Sequence, residues 1–259
     1  MTSLPQTTQK KLGLAIDLDS CVGCHACVVN CKEWNSSSEL GAPLSDQDAY
    51  GANPQGTFLN RVHSFEVTPQ AQASSGCGAQ AAEAQTVYMP KSCLHCEDAP
   101  CVTVCPTGAS FKRSEDGIVL VNEDDCMGCG LCAWACPYGA RELDFLAGVM
   151  KKCTLCVDRI YDEALEPEDR VPACVRTCPT GARHFGDFAD PNSKVSQLAK
   201  ERGAEPLFAS QGTKPVNRYL PPRPKNQVTS SSAAQVSPQA VAQDSKGFLS
   251  WLDKTLEKF

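Results

Sequence analysis

Residues 126–137 read Cys-Met-Gly-Cys-Gly-Leu-Cys-Ala-Trp-Ala-Cys-Pro. Gaps of two, two and three residues, closed by proline, are the ligand spacing of a [4Fe–4S] cluster, in which three thiolates hold one cluster and the fourth reaches another. Two-residue gaps let a short loop curl around a cubane with its N–H groups aimed at the sulfurs. The closing i, i+4 gap is one helical turn, a rise of about 6 Å, so Cys132 and Cys136 can serve two neighbouring clusters. Pro137 lacks an N–H and stops the helix. Structural zinc more often uses two separated ligand pairs, and the tight run favours iron–sulfur.

The pattern occurs three more times. Cys21, Cys24, Cys27 and Cys31 repeat the gaps with Lys32 in place of proline, so that helix is expected to run on to about Trp34. Cys93, Cys96, Cys101 and Cys105 close on Pro106, with Glu97-Asp98-Ala99-Pro100 as a longer middle gap. In the fourth run a 17-residue interruption separates Cys153 and Cys156 from Cys174 and Cys178. Cys178-Pro179-Thr180-Gly181-Ala182 nearly copies Cys105-Pro106-Thr107-Gly108-Ala109. The chain is an internal repeat of strand, cysteine loop, helical turn, Cys-Pro and hairpin. Sixteen of 17 cysteines thus form four complete four-thiolate sites, and four [4Fe–4S] clusters are predicted. Because each helical turn ties its own cluster to another, the clusters must come in close pairs. The spacing alone leaves open which runs pair, sequence neighbours included. Cys77, between two glycines, is expected to be a spare thiol, and His25 a hydrogen-bonding or surface histidine.

A length of 259 residues allows one or two domains. Hydrophobic residues make up 42%, but cysteine is part of that count and aromatics are only 7%. The core is therefore expected to be built partly of clusters, and the apo chain to be poorly folded. A net charge of −6 gives no footprint for nucleic acid. No apolar leader follows Met1, no twin-arginine pair is present, and nothing approaches the roughly 18 apolar residues of a membrane span. The chain is expected to be soluble, to carry no export signal of its own, and to stay cytoplasmic unless a partner carries it across.

Alternating Leu12, Leu14, Ile16 and Leu18 predict a strand with one buried face. Residues 35–56 read as loop, 58–67 and 87–89 as extended, and 68–85 as a flexible hairpin tip. Strands are expected at 110–113 and 118–121 around a turn at 114–117, with another hairpin around 146–148. Residues 157–165 can be helical before an acidic loop at 166–172. A helix is predicted over 193–202, capped by Asn192 and stopped by Gly203. Residues 214–225 read as extended and basic, 227–245 as a polar linker, and 246–259 as an amphipathic helix for a partner or membrane surface, or for its own domain. Lys91, Lys112, Arg113, Lys151, Lys152, Arg159, Arg176 and Arg183 lie near the runs, and most are expected to be solvated surface charges.

The four runs, the Cys-Leu-His-Cys-Glu-Asp-Ala-Pro-Cys stretch at 93–101, the Cys-Pro-Thr-Gly-Ala closures and the interrupted fourth run resemble one family. It is the four-cluster electron-transfer subunit of membrane-associated molybdenum oxidoreductases of the dimethyl sulfoxide reductase type. The resemblance covers residues 12–187. The insert at 35–85 and Gly-Thr-Lys-Pro-Val-Asn-Arg-Tyr-Leu-Pro-Pro-Arg at 212–223 look most like the iron–sulfur subunit of quinone-dependent sulfite dehydrogenases. It implies an α+β fold of two tandem bacterial-ferredoxin-like modules, each holding two [4Fe–4S] clusters. It also implies ligand sets: Cys21, Cys24, Cys27 and Cys178; Cys93, Cys96, Cys101 and Cys136; Cys126, Cys129, Cys132 and Cys105; Cys153, Cys156, Cys174 and Cys31. One module then comprises 1–34 with 150–190 and the other 91–149, with 35–90 as an insertion and 191–226 as a helix and partner-binding arm.

The family implies a non-catalytic subunit passing electrons between a molybdopterin catalytic subunit and a quinone-reactive membrane anchor, on the inner face of the cytoplasmic membrane. Electrons flow from molybdenum to quinone in a sulfite dehydrogenase and inward in a reductase. An independent polyferredoxin and a zinc-stabilised interaction module are the alternatives.

Overall fold

The computed structural model describes residues 3–36, 46–48, 55–67 and 85–223. Cys77, residues 68–84 of the hairpin tip expected at 68–85, the linker at 227–245 and the helix at 246–259 lie outside the described residues.

The first strand, β1 (Leu12–Asp17), runs into the first cysteine loop, where α1 (Ala26–Asn35) begins. Next come β2 (Asp46–Asp48), β3 (Gln55–Gly56), β4 (Asn60–Val67) and β5 (Gln85–Ser92), which delivers the second run and α2 (Pro100–Thr103). The hairpin β6 (Ser110–Lys112) and β7 (Val119–Val121) leads to the third run and α3 (Leu131–Trp134). The hairpin β8 (Glu142–Asp144) and β9 (Val149–Lys151) leads to the fourth run, with α4 (Val157–Ile160) and α5 (Ala173–Arg176). Last are β10 (Arg183–Asp187), α6 (Lys194–Glu201) and β11 (Arg218–Leu220). The elements are short and mixed, and the fold is the expected α+β, ferredoxin-like repeat. Proline explains the helix lengths. Pro106, Pro137 and Pro179 cut α2, α3 and α5 to four residues each, whereas Lys32 lets α1 run to ten. The added turns carry Trp34 to the fourth run, where its Nε1 donates to Asp158 at 2.6 Å and Arg159 stacks 4.7 Å over the ring.

β1 is the centre of a three-stranded sheet, antiparallel to β10 and parallel to β11. The register pairs Ile16 with Arg183. The chain leaves β1 for Cys21 and enters β10 just after Cys178, so this pairing brings the first run to the end of the fourth. Against expectation, β1 is buried on both faces: Ala15 and Asp17 are as enclosed as Leu14 and Ile16. Both edges of β1 are paired, α6 packs on the sheet, and Arg202 neutralises Asp17 at 3.1 Å.

Half of the segment expected as an extended arm is core. Tyr219 and Leu220 are fully buried. The Asn217 side chain accepts from Leu14 N–H at 2.8 Å and donates to the Cys93 carbonyl at 3.0 Å, clamping the second cysteine loop to the sheet. A parallel partner for β1 had no local signal, because it arrives some two hundred residues later.

Other boundaries shifted for local reasons. β5 is longer than the 87–89 expected, since it pairs with β4 along its whole length. Pro90 is tolerated because the free edge of a two-stranded ribbon needs no N–H there. The helix expected over 157–165 stops at Ile160. Asp162 takes the Ala164 N–H on its side chain at 2.9 Å, a turn that competes with helix. Ser193, not Asn192, caps α6, its Oγ accepting from Ser196 N–H at 3.2 Å, while Asn192 is held in a turn by Asp190.

Gly128, inside the third cysteine loop, has φ +66° and would place a Cβ 2.3 Å from the Gly148 carbonyl oxygen. Backbone meets backbone here, so neither side yields cheaply. Gly128→Ala is expected to cost about 2 kcal/mol or more. In a thermal melt of the cluster-loaded protein that is a fall of roughly 4–8 °C.

Candidate metal centres

All sixteen cysteines of the four runs lie within the described residues, and none is in a disulfide. Cys24 and Cys129 are exposed at the tips of the first and third loops, Cys21, Cys126, Cys136 and Cys178 are half-buried, and the other ten are buried.

The thiols gather across runs rather than within them. One cavity is lined by Cys31 from the first run with Cys153, Cys156 and Cys174 from the fourth. A second is lined by Cys105 from the second run with Cys126, Cys129 and Cys132 from the third. Burial pushes the Cys96 thiol up to about 12, and its thiol neighbours are Cys93, Cys101 and Cys136. Burial also raises Cys21, whose neighbours include Cys27 and Cys178. The helices follow suit: α1 packs on α5, and α2 on α3.

Among the described residues no three His, Cys, Asp or Glu side chains converge closely enough for one metal ion. A cubane offers one iron to each thiolate and needs a wider spread than the roughly 2.3 Å zinc–sulfur shell.

Backbone N–H groups point at the sulfurs, from within the cysteine loops and from elements packed against them. Met150 N–H reaches Cys126 at 3.4 Å, Leu155 reaches Cys153 at 3.4 Å and Ala173 reaches Cys156 at 3.5 Å. The Cys-Pro-Thr-Gly-Ala closures make the densest cradles. Burial raises the Cys105 thiol, but N–H groups from Ser110, Thr107 and Gly108 and the Thr107 hydroxyl outweigh it and hold the pKa below the ordinary value. Burial likewise raises Cys178, and the Thr180 hydroxyl, N–H groups from Ala182 and Thr180, and Arg183 reverse it. In the cavity of the fourth run burial wins. Cys153 is pushed up to about 11, and Cys156 and Cys31 are raised strongly by burial and then by the other thiols of their cavity.

The cations near the runs correct the sequence reading. Arg183, Lys151 and Lys152, from a group expected to be mostly solvated, are buried. Lys152 Nζ donates to the Cys153 carbonyl at 2.5 Å, and Lys151 pairs with Glu123. Lys112, half-buried, donates to the Cys96 and Glu97 carbonyls at 3.0 and 3.1 Å. Arg183 is 3% exposed, with Nη1 at 3.5 Å from Cys174 Sγ and Nη2 donating to Asn60 Oδ1 at 2.7 Å. Arg141, not singled out from sequence, is 5% exposed and donates from Nη2 to Cys101 Sγ at 3.0 Å and Ser110 Oγ at 2.8 Å. A signal was available. Cys136-Pro-Tyr-Gly-Ala-Arg141 and Cys178-Pro-Thr-Gly-Ala-Arg183 put an arginine at the same place in two repeats. His95 was also passed over. It is fully buried, and its Nδ1 accepts from Val119 N–H at 3.2 Å, which assigns the proton to Nε2. His25 is on the surface, capping α1.

These residues fit iron–sulfur clusters. Arg141 Nε and Nη1, Arg183 Nε, Asn60 Nδ2 and Ser92 Oγ are buried without hydrogen-bond partners, and all five belong to residues lining the two thiol cavities. An unpaired buried cation costs several kcal/mol. A four-thiolate [4Fe–4S] centre carries net negative charge and sulfides that accept N–H bonds, so it supplies what these donors lack.

Paired four-thiolate sites on a ferredoxin-like repeat define a multi-cluster electron carrier. Two family models described as 4Fe-4S dicluster domain match residues 20–109 and 84–188. A sulfite dehydrogenase subunit of Allochromatium vinosum is 56% identical over 82% of this chain and 84% of its own. A tetrathionate reductase subunit of Salmonella typhimurium is 37% identical over 81% of this chain and 72% of its own. A polysulfide reductase polypeptide of Wolinella succinogenes is 35% identical over 80% and 92%. The protein belongs to this family of iron–sulfur subunits, with two dicluster domains and four [4Fe–4S] clusters. It is an electron-transfer subunit rather than a catalytic one. Among the described residues no helix is long and apolar enough to cross a membrane.

Proposed function

We propose that this chain carries electrons from sulfite to quinone, between a molybdopterin catalytic subunit and a quinone-binding membrane anchor. The observation that carries this reading is the 56% identity to a subunit of a sulfite dehydrogenase across most of both chains. The same role in a reductase rests on relatives at 35–37% identity.

The proposed ligand sets are Cys21, Cys24, Cys27 and Cys178; Cys93, Cys96, Cys101 and Cys136; Cys105, Cys126, Cys129 and Cys132; and Cys31, Cys153, Cys156 and Cys174. In support, two of these sets each line one cavity, and thiols of the other two are neighbours. One module then comprises 1–34 with 150–190, and the other 91–149. When bound, the clusters supply one-electron redox steps. The chain's own residues would hold them: cysteine loops fix each position, N–H groups cradle the sulfurs, and Leu94, Val102, Ile118 and Leu155 keep water from the interior. The proposed location is the inner face of the cytoplasmic membrane, reached through the anchor.

The test is sulfite-driven quinone reduction in membranes of cells making or lacking this chain, with identification of the polypeptides that co-purify with it. Loss of that activity without the chain, and recovery of a molybdopterin protein and a membrane protein with it, is the expected result. Unchanged activity, or recovery of the chain alone, refutes the reading.

A further inference from the structure

We propose that Arg141 and Arg183 are shared cations, one for each cluster pair, lying between the two thiolate sets of a pair and raising the reduction potential of both its clusters together. The assignment of one cation to each pair rests on the ligand sets proposed for the four clusters.

The two arginines occupy equivalent environments. Each follows a Cys-Pro-x-Gly-Ala closure, Arg141 immediately before β8 and Arg183 as the first residue of β10. Each spends one Nη on a neutral oxygen, Ser110 Oγ for Arg141 and Asn60 Oδ1 for Arg183. Each also points at a cysteine sulfur and keeps at least one buried N–H without a partner. Among the described residues neither is within ion-pair distance of a carboxylate, so neither charge is cancelled by a side-chain anion.

Each reaches both sets of its pair. Arg141 donates to Cys101, of the set shared by the second run and Cys136, and it lines the cavity of Cys105, Cys126, Cys129 and Cys132, where its charge also faces the Cys132 thiol. Arg183 lies against Cys174 in the cavity of Cys31, Cys153 and Cys156, and the charged groups facing it include Cys27 of the other set. The repeat leaves room for one guanidinium per pair. Where the second run could supply another, it has Ser110, whose hydroxyl accepts from Arg141. The first run has no closure, and Asn60 of β4 fills that role toward Arg183.

The consequence is electrostatic. An electron entering either cluster adds negative charge beside a fixed positive charge in a low-dielectric interior, where the attraction is strong. No bond forms or breaks and no proton moves, since a guanidinium stays protonated. Hydrogen bonds to the sulfurs act in the same direction. One cation facing two clusters lifts both.

The test is redox titration of the full-length, cluster-loaded complex, followed by electron paramagnetic resonance, in wild type, R141Q and R183Q. Signals are first assigned with single ligand variants, so a wrong ligand assignment shows in those spectra and not in the midpoints. In R183Q both clusters of the first-run and fourth-run pair are expected to become harder to reduce, each by about tenfold or more in equilibrium constant, which is about 59 mV per electron. The other pair stays at its wild-type values. R141Q gives the mirror pattern. Midpoints that do not move in the variant's own pair, or that move equally in all four clusters, overturn the proposal. If a glutamine variant fails to retain its iron, the lysine variant decides. Lysine keeps the charge, so the lysine variant must retain its iron and hold both midpoints of that pair near the wild-type values, and loss of iron or a tenfold fall in both overturns the proposal equally.

Discussion

Stripping iron and sulfide from this protein with a chelator is expected to abolish its cooperative thermal transition. Ten cysteines are buried, and five of them, Cys27, Cys96, Cys101, Cys132 and Cys174, pack with Leu14, Ile16, Leu94, Val102, Ile118 and Leu155 in one core cluster. The helices carrying the later runs have four residues each. Isolated helices shorter than about 12–15 residues are marginal in water, so these turns depend on what their cysteines grip. Without clusters, Arg141 and Arg183 become buried cations with no anion. The surrounding thiols cannot replace it at pH 7, because burial raises Cys96 to about 12 and Cys153 to about 11 and keeps both protonated. A structural metal site in a small domain contributes on the order of 10 kcal/mol, while whole domains are stable by only about 5–15 kcal/mol. Loss of four clusters therefore removes more than the net stability. The measurement is circular dichroism and calorimetry before and after chelation; a chelated chain that still melts in one sharp step contradicts the account. Reassembly has a pH sign as well. Thiols with raised pKa must lose protons to bind iron, so reconstitution at fixed iron and sulfide improves as pH rises.

Replacing Cys136 by alanine is expected to remove the cluster proposed for Cys93, Cys96 and Cys101, not the one proposed for its own run. The Cys136 thiol has Cys93 as a thiol neighbour and is half-buried, while Cys126, Cys129 and Cys132 line a cavity with Cys105. One of four resonance signals disappears, iron content falls by about a quarter, and sulfite-driven quinone reduction drops to background because the relay loses a link. Cys105→Ala is the complement and removes the third run's cluster. If Cys136→Ala instead loses the signal that Cys129→Ala loses, ligands are shared within runs and the crossed pairing is wrong.

The number of clusters was legible because ligand spacing is local. Two-residue gaps and one helical turn place thiols within a few ångströms of each other whatever the rest of the chain does. The prolines that end α2, α3 and α5, and the longer α1 where Lys32 takes that place, could be read for the same reason. The hairpins β6–β7 and β8–β9 announced themselves through turn residues, and β1 through alternation. Helix ends were less secure: Asp162 diverted the chain after α4, and Ser193 took the cap from Asn192, since side chains that bond nearby backbone decide such boundaries within a residue or two.

What the amino-acid order determined by itself was four four-thiolate sites on short loops, and with them the cofactor and the class of reaction. Tertiary structure alone decided which runs lie together, since that follows from contacts between distant residues: Ile16 opposite Arg183, Trp34 on Asp158, and Asn217 joining Leu14 to Cys93. It also decided that Arg141 and Arg183 are buried cations and that residues 216–221 are core rather than arm. Burial is a property of the packed fold as a whole, and a charged residue in a polar stretch reads as solvated until something folds over it.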